Sequence, residues 1–174
     1  METSPFPRAL PPPEGSLVVI HIAQIAEAVQ ASRRSPRRRV ILPFHKRNED
    51  SLHRMLNAMQ PGSYVQPHRH ASPPKAESLV VLQGAIGYVA FDDDGAVDRH
   101  FVLQADGEQF GVDTEPGIFH TFFALEEDTV LFEVKPGPYE PTSDKDFAGW
   151  APGEGEAQAA AYLAKLDALI RQVD

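Results

Sequence analysis

Apolar residues along this chain change period twice. Residues 1–15 hold Pro5, Pro7, Pro11, Pro12 and Pro13 and few apolar side chains to offset ordering entropy, which predicts a disordered or extended proline-rich tail. A β-branched run at 17–20 predicts a short strand. Ile22, Ile25, Ala26 and Val29 then recur at helical spacing, and that helix should stop before Pro36, because the residue ahead of a proline is pushed out of the α region. Residues 16–39 thus read as an N-terminal strand and helix extension.

From 40 to 134 the pattern becomes that of an all-β sandwich or barrel: short Val, Leu, Ile and Phe-rich segments cut by turn signals. The turns stand at Pro61-Gly62, at 92–95, at 105–107 and at Pro116-Gly117. Residues 85–91, the run Asp-Asp-Asp-Gly and residues 96–103 read as a hairpin, since Asp and Gly tolerate tight-loop geometry. Residues 135–152, with four prolines, predict an irregular surface loop that closes a barrel domain of 40–152. The remainder, 153–174, predicts a helix over 154–173 whose stripe of Tyr162, Leu163, Leu166, Leu169 and Ile170 packs on the barrel or on a second subunit.

Composition narrows the chemistry. The 174 residues include no cysteine, so disulfides, thiolate metal sites and cysteine nucleophiles are excluded, and any metal must sit on nitrogen and oxygen. The longest apolar run, 17–22, is interrupted by His21 and falls far short of the roughly 18–20 residues of a membrane span. With no signal-peptide pattern at the start, the expectation is a cytoplasmic protein without a membrane partner. Net charge is −9, yet residues 1–47 carry 8 basic against 3 acidic side chains and the rest 8 against 22. The Arg33 to Arg47 cluster is small and sits on a chain that is acidic elsewhere, and it reads as an intramolecular partner of the acidic part rather than a nucleic-acid surface.

Candidate chemistry concentrates in GSYVQPHRHASPPKAESLVVLQG, residues 62–84. On a strand, His68 and His70 share one face while Arg69 points to the other. Glu77 opens the next strand after a Ser72-Pro73-Pro74 loop, and His120 starts the aromatic strand beyond Gly117. Three imidazoles and a carboxylate suit one divalent transition metal: Fe, Mn, Zn, Ni, Co or Cu. His53 alternates with Met55, Asn57 and Met59, whereas Arg54 shares the face of Leu56 and Ala58; parity leaves open which face looks inward. Arg54, Asn57, His53 and Phe122 are therefore the substrate-pocket candidates. His21, His45 and His100 read as surface residues.

The spacing of Gly62, His68, His70, Glu77 and Gly84 resembles the first motif of the cupin superfamily, and residues 111–120 resemble the second. SPRRR at 35–39, RMLNAMQPGSYVQPHRH at 54–70, FDDDG at 91–95 and FEVKPGPYEPTSDKDFAGWAP at 132–152 are similar to the WbuC-type cupin-fold metalloproteins. The likeness covers residues 17–152. It implies an all-β double-stranded β-helix, or jelly-roll barrel, with the N-terminal and C-terminal helices outside, and His68, His70, Glu77 and His120 as metal ligands. Two departures stand out: six residues separate His70 from Glu77 where the superfamily has three or four, and Pro116 directly precedes Gly117. The resemblance favours a metal-dependent enzyme on a small sugar-like or hydroxy-acid substrate, by isomerase or epimerase chemistry, through an association with surface-polysaccharide genes. The rival readings are a metal-dependent dioxygenase and a non-catalytic cupin that binds a small ligand. Sheet edges and the extra helix suit a homodimer.

Overall fold

The computed structural model describes residues 6–140, 142 and 144–172. Residues 1–5 of the predicted tail and Val173 of the predicted helix lie outside them. Helix α1 (Ile22–Arg34) is followed by ten strands: β1 (Arg39–Pro43), β2 (Leu52–Met59), β3 (His68–Arg69), β4 (Glu77–Gln83), β5 (Ala85–Phe91), β6 (Val97–Gln104), β7 (Gly111–Thr114), β8 (Phe119–Ala124), β9 (Thr129–Pro136) and β10 (Asp146–Phe147). Helix α2 (Ala159–Ile170) ends the fold. The strands form two five-stranded antiparallel sheets, one in the order β1-β2-β9-β4-β7 and the other β10-β3-β8-β5-β6. This is the jelly roll that the sequence implies, with both helices outside it.

Three apolar clusters give the layers. Between the sheets, Met59, Leu79, Val81, Ile86, Tyr88, Phe122 and Leu131 fill the closed end of the barrel. On the outer face of the first sheet, Ala28 and Val29 of α1 pack against Val40, Leu42, Leu56, Ala58 and Val130. Outside the second sheet, Leu163, Leu166 and Ile170 of α2 cover Val89, Phe91 and Phe123. β5 is thus buried along its whole length, as a strand covered on both faces must be. Gly87 permits this contact: an added Cβ would lie 2.8 Å from the Phe123 ring and 2.9 Å from the Ile170 side chain.

The N-terminal residues depart from their sequence pattern. Residues 17–20 form no strand, and Leu17 and Val19 are exposed, because no sheet edge lies alongside to complete their hydrogen bonds. Ahead of them, Ala9 bridges Ile41 in parallel, with Leu10 N–H donating to the Ile41 carbonyl at 2.8 Å. His21 caps α1, its Nδ1 accepting from Ala23 N–H at 3.1 Å. The final helix starts only at Ala159, after Gly155 adopts a left-handed φ of 91°. Part of the basic cluster is consumed within the chain: Arg37 and Arg39 each lie 2.7 Å from Glu154, and Arg33 pairs with Asp128. No helix among the described residues is long and apolar enough to cross a membrane.

Candidate metal centre

Facing strands bring the four candidate ligands together at the open end of the barrel. The β3–β8 register sets His68 directly across from His120, and His70 follows at the end of β3. Glu77 opens β4 in the opposite sheet. The chain reaches it through a tight return at 71–76, closed by the Ala71–Pro74 bridge and by Lys75 N–H to the His70 carbonyl at 3.4 Å. This return absorbs the long spacing between His70 and Glu77. One ligand atom from each of His68, His70, Glu77 and His120 falls within a 4.8 Å cluster, and all four residues are buried.

The backbone around the histidines dictates their tautomers. His68 Nδ1 meets the Gln66 carbonyl at 2.9 Å, His120 Nδ1 meets the Ile118 carbonyl at 2.9 Å, and His70 Nδ1 meets the Asp144 carbonyl. A carbonyl only accepts, so each Nδ1 carries the proton and each Nε2 presents a lone pair to the centre. His70 Nε2 and His120 Nε2 lie 3.1 and 3.4 Å from Glu77 Oε2, while His68 Nε2 is buried with no hydrogen-bond partner among the described residues. Four acceptors facing one another without a donor are unfavourable until a cation enters. Burial and the charge of Lys145 push the His68 imidazole well below its usual value, so a second proton there is opposed. The donor set therefore fits a divalent transition metal on nitrogen and oxygen. Tyr88 stacks on His120, ring centroids 5.7 Å apart, and anchors its hydroxyl on Thr114 at 2.7 Å.

A cavity of about 460 Å³ meets this cluster at Glu77. Of the four pocket candidates, the structure places His53, Asn57 and Phe122 on the cavity wall. Arg54 is not there. It lies on the other face of β2, with Leu56 and Ala58, and its Nε is buried without a hydrogen-bond partner among the described residues. His45 differs from its surface reading: it is buried, lines the cavity and stacks on His53 with centroids 3.9 Å apart, because the 44–51 loop folds back over β2.

Sequence reasoning missed a buried ionic group beside the cavity. Glu133 accepts from Asn57 Nδ2 and lies 3.2 Å from Lys135 Nζ; Lys135 also reaches Asp144 at 3.3 Å, and Asp144 holds Lys75 at 2.7 Å. Burial and the negative charge of Glu77 keep the Glu133 carboxyl above its ordinary value despite Lys135. The available signal was the spacing of Glu133 and Lys135 in FEVKP, two charges at strand period on a face otherwise expected to be apolar.

The model of a family described as a domain of unknown function, DUF6016, matches residues 20–103. No curated protein matches the chain. Among solved structures, CapF with the inhibitor 3-isopropenyl-tropolone aligns with TM-score 0.50 and 19% identity, over 63% of this chain and 30% of CapF. The fold is that of the cupins. Oxalate decarboxylase from Bacillus subtilis aligns with TM-score 0.44 and 19% identity over 57% of this chain and 24% of that one. KdgF from Halomonas sp. aligns with TM-score 0.42 and 19% identity over 60% of this chain and 80% of that one. This chain spans under a third of the CapF and oxalate decarboxylase chains, and the likeness is one of fold alone.

Proposed function

We propose that this cupin is a metal-dependent enzyme that isomerises or epimerises a small sugar-like or hydroxy-acid substrate, with one divalent transition metal held by His68, His70, Glu77 and His120. The observation that carries this reading is the convergence of three Nε2 lone pairs and a carboxylate, each imidazole locked by a backbone carbonyl, at the foot of a cavity. A bound ion there supplies a Lewis acid for a carbonyl or hydroxyl oxygen. Glu133, the cavity carboxyl beside the cluster, gives or takes the proton at the substrate carbon through an Oε atom, with Asn57 and Lys135 fixing its orientation. Phe122, Met55 and Val65 line the same cavity and exclude water from it. The same reading has the protein acting in the cytoplasm as a homodimer. Apolar Val80, Leu82 and Phe110, exposed on the outer surface, support the dimer, and a light-scattering mass of a single chain would end it.

The test is the metal content of untagged protein purified without chelators, beside that of His68→Ala. One ion per chain, lost in the variant, is the expected result. Zinc or manganese keeps the isomerase reading, whereas iron or copper with substrate-dependent oxygen uptake replaces it by a dioxygenase. Protein that is metal-free and refuses added metal overturns the reading.

A further inference from the structure

We propose that Lys145 is the anchor for a substrate carboxylate, so that the site takes a small hydroxy or keto acid rather than a neutral sugar. This deepens, and rests on, the metal-dependent reading of the same cavity.

The position follows from the sheet register. β10 pairs antiparallel with β3, setting Asp146 across from Arg69 and Phe147 across from His68, so the chain just before β10 runs beside His70. Alternation then sorts the side chains. Asp146 turns outward to Arg69 at 2.7 Å, while Lys145 and Phe147 both line the cavity. Lys145 thus stands just before the strand hydrogen-bonded to the one that carries His68, on the cavity side.

Its ammonium has no direct charge partner among the described residues. Among the buried and half-buried cations of the cavity wall, Lys135 is matched by Glu133 and Asp144, and Arg37 and Arg39 by Glu154. Lys145, half-buried, has no ion pair or hydrogen bond to its side chain among the described residues. Burial and the charge of Lys135 lower its ammonium to about 8, against the opposing pull of Glu77 and Glu133. A half-buried cation beside a metal-ligand set is completed by an anionic oxygen of the ligand. A single ammonium, without a guanidinium fork, matches the one negative charge of a carboxylate better than the two of a phosphate monoester.

The experiment titrates glycolate, glycerol and inorganic phosphate into wild type, Lys145→Met and Lys145→Arg by calorimetry, on chelator-stripped and on manganese-loaded protein, with metal content measured alongside. Glycolate should bind wild type and weaken about 10- to 100-fold in Lys145→Met, the loss of one charge-assisted contact. Lys145→Arg should recover part of it, and both variants should keep the wild-type metal content. Glycolate affinity that ignores Lys145→Met, no glycolate binding to either form of wild type, or tighter binding of glycerol or phosphate than of glycolate each overturns the proposal. The two readings fail separately. A protein that takes up neither manganese nor any other added divalent metal yet binds glycolate through Lys145 ends the metal reading alone; manganese uptake with indifference to Lys145 ends this one alone.

Discussion

Asp144 offers the sharpest test of how the cavity is held together. Its carboxylate lies 2.7 Å from Lys75 Nζ and 3.3 Å from Lys135 Nζ, and the Lys75 and Asp144 side chains are each only 2% exposed, so solvent screens the pair little. Asp144→Asn keeps the shape and the backbone carbonyl that holds His70, but leaves Lys75 without its counter-charge. Removing one partner of such a pair costs about 3–5 kcal/mol. Glu133 keeps Lys135 partnered, so the lower end, about 3 kcal/mol, applies. For a chain of this length that is a fall of roughly 6–12 °C in Tm, read by near-ultraviolet circular dichroism or calorimetry. Lys75→Met combined with Asp144→Asn should regain more than half of the loss, because neither charge then remains unpaired. A shift below about 2 °C in the single variant, or additive losses in the double one, would refute the argument that this pair is a buried, mutually dependent unit.

Other expectations follow from the same geometry. Stripped wild type given zinc or manganese at a hundredfold its Kd should gain about 2.7 kcal/mol, roughly 5–11 °C in Tm; His120→Ala should gain nothing, and an equal gain in both would remove the site. Gly87→Ala drives a methyl into Phe123 and Ile170 and should cost about 1–3 kcal/mol in urea unfolding, with faster tryptic cleavage in α2; unchanged stability would mean that α2 does not press on β5. Burial raises the Glu154 carboxyl, but the hydrogen bond from Arg37 and the charges of Arg39 and Arg37 outweigh it and leave its folded value depressed. Its stabilisation is therefore present above the unfolded value of about 4.3 and lost as pH falls through the folded one. The Tm gap between wild type and Glu154→Gln should accordingly close on acidification from about pH 6, and a constant gap would contradict the assignment.

Much of the fold was legible from local pattern. The hairpin at 85–104 followed from strand period and an Asp-Gly turn, and α1 from apolar spacing and Pro36, because both elements satisfy their backbone groups locally. The period of two placed His68 and His70 on one face, a consequence of strand geometry that holds whatever surrounds the strand. His120 and Glu77 were recognised by motif, and Phe122 by sharing the parity of His120.

Which face of β2 looks into the barrel was not legible. Met55 and Met59 on one side and Leu56 and Ala58 on the other are equally apolar, since α1 covers the outer face, so only the layer packing turned Asn57 inward and Arg54 away. The ionic group was hidden for a related reason. Lys75, Glu133, Lys135 and Asp144 look like solvated charges in sequence, and the partners Lys75 and Asp144 stand 69 residues apart until the sheets close. The residues by themselves determined most of the elements and marked His68, His70, Glu77 and His120 as candidate ligands, because those depend on short-range geometry and motif spacing. The tertiary structure alone decided which charges are buried and paired, and which lysine is left facing the cavity, because burial and charge pairing are properties of space and not of chain order.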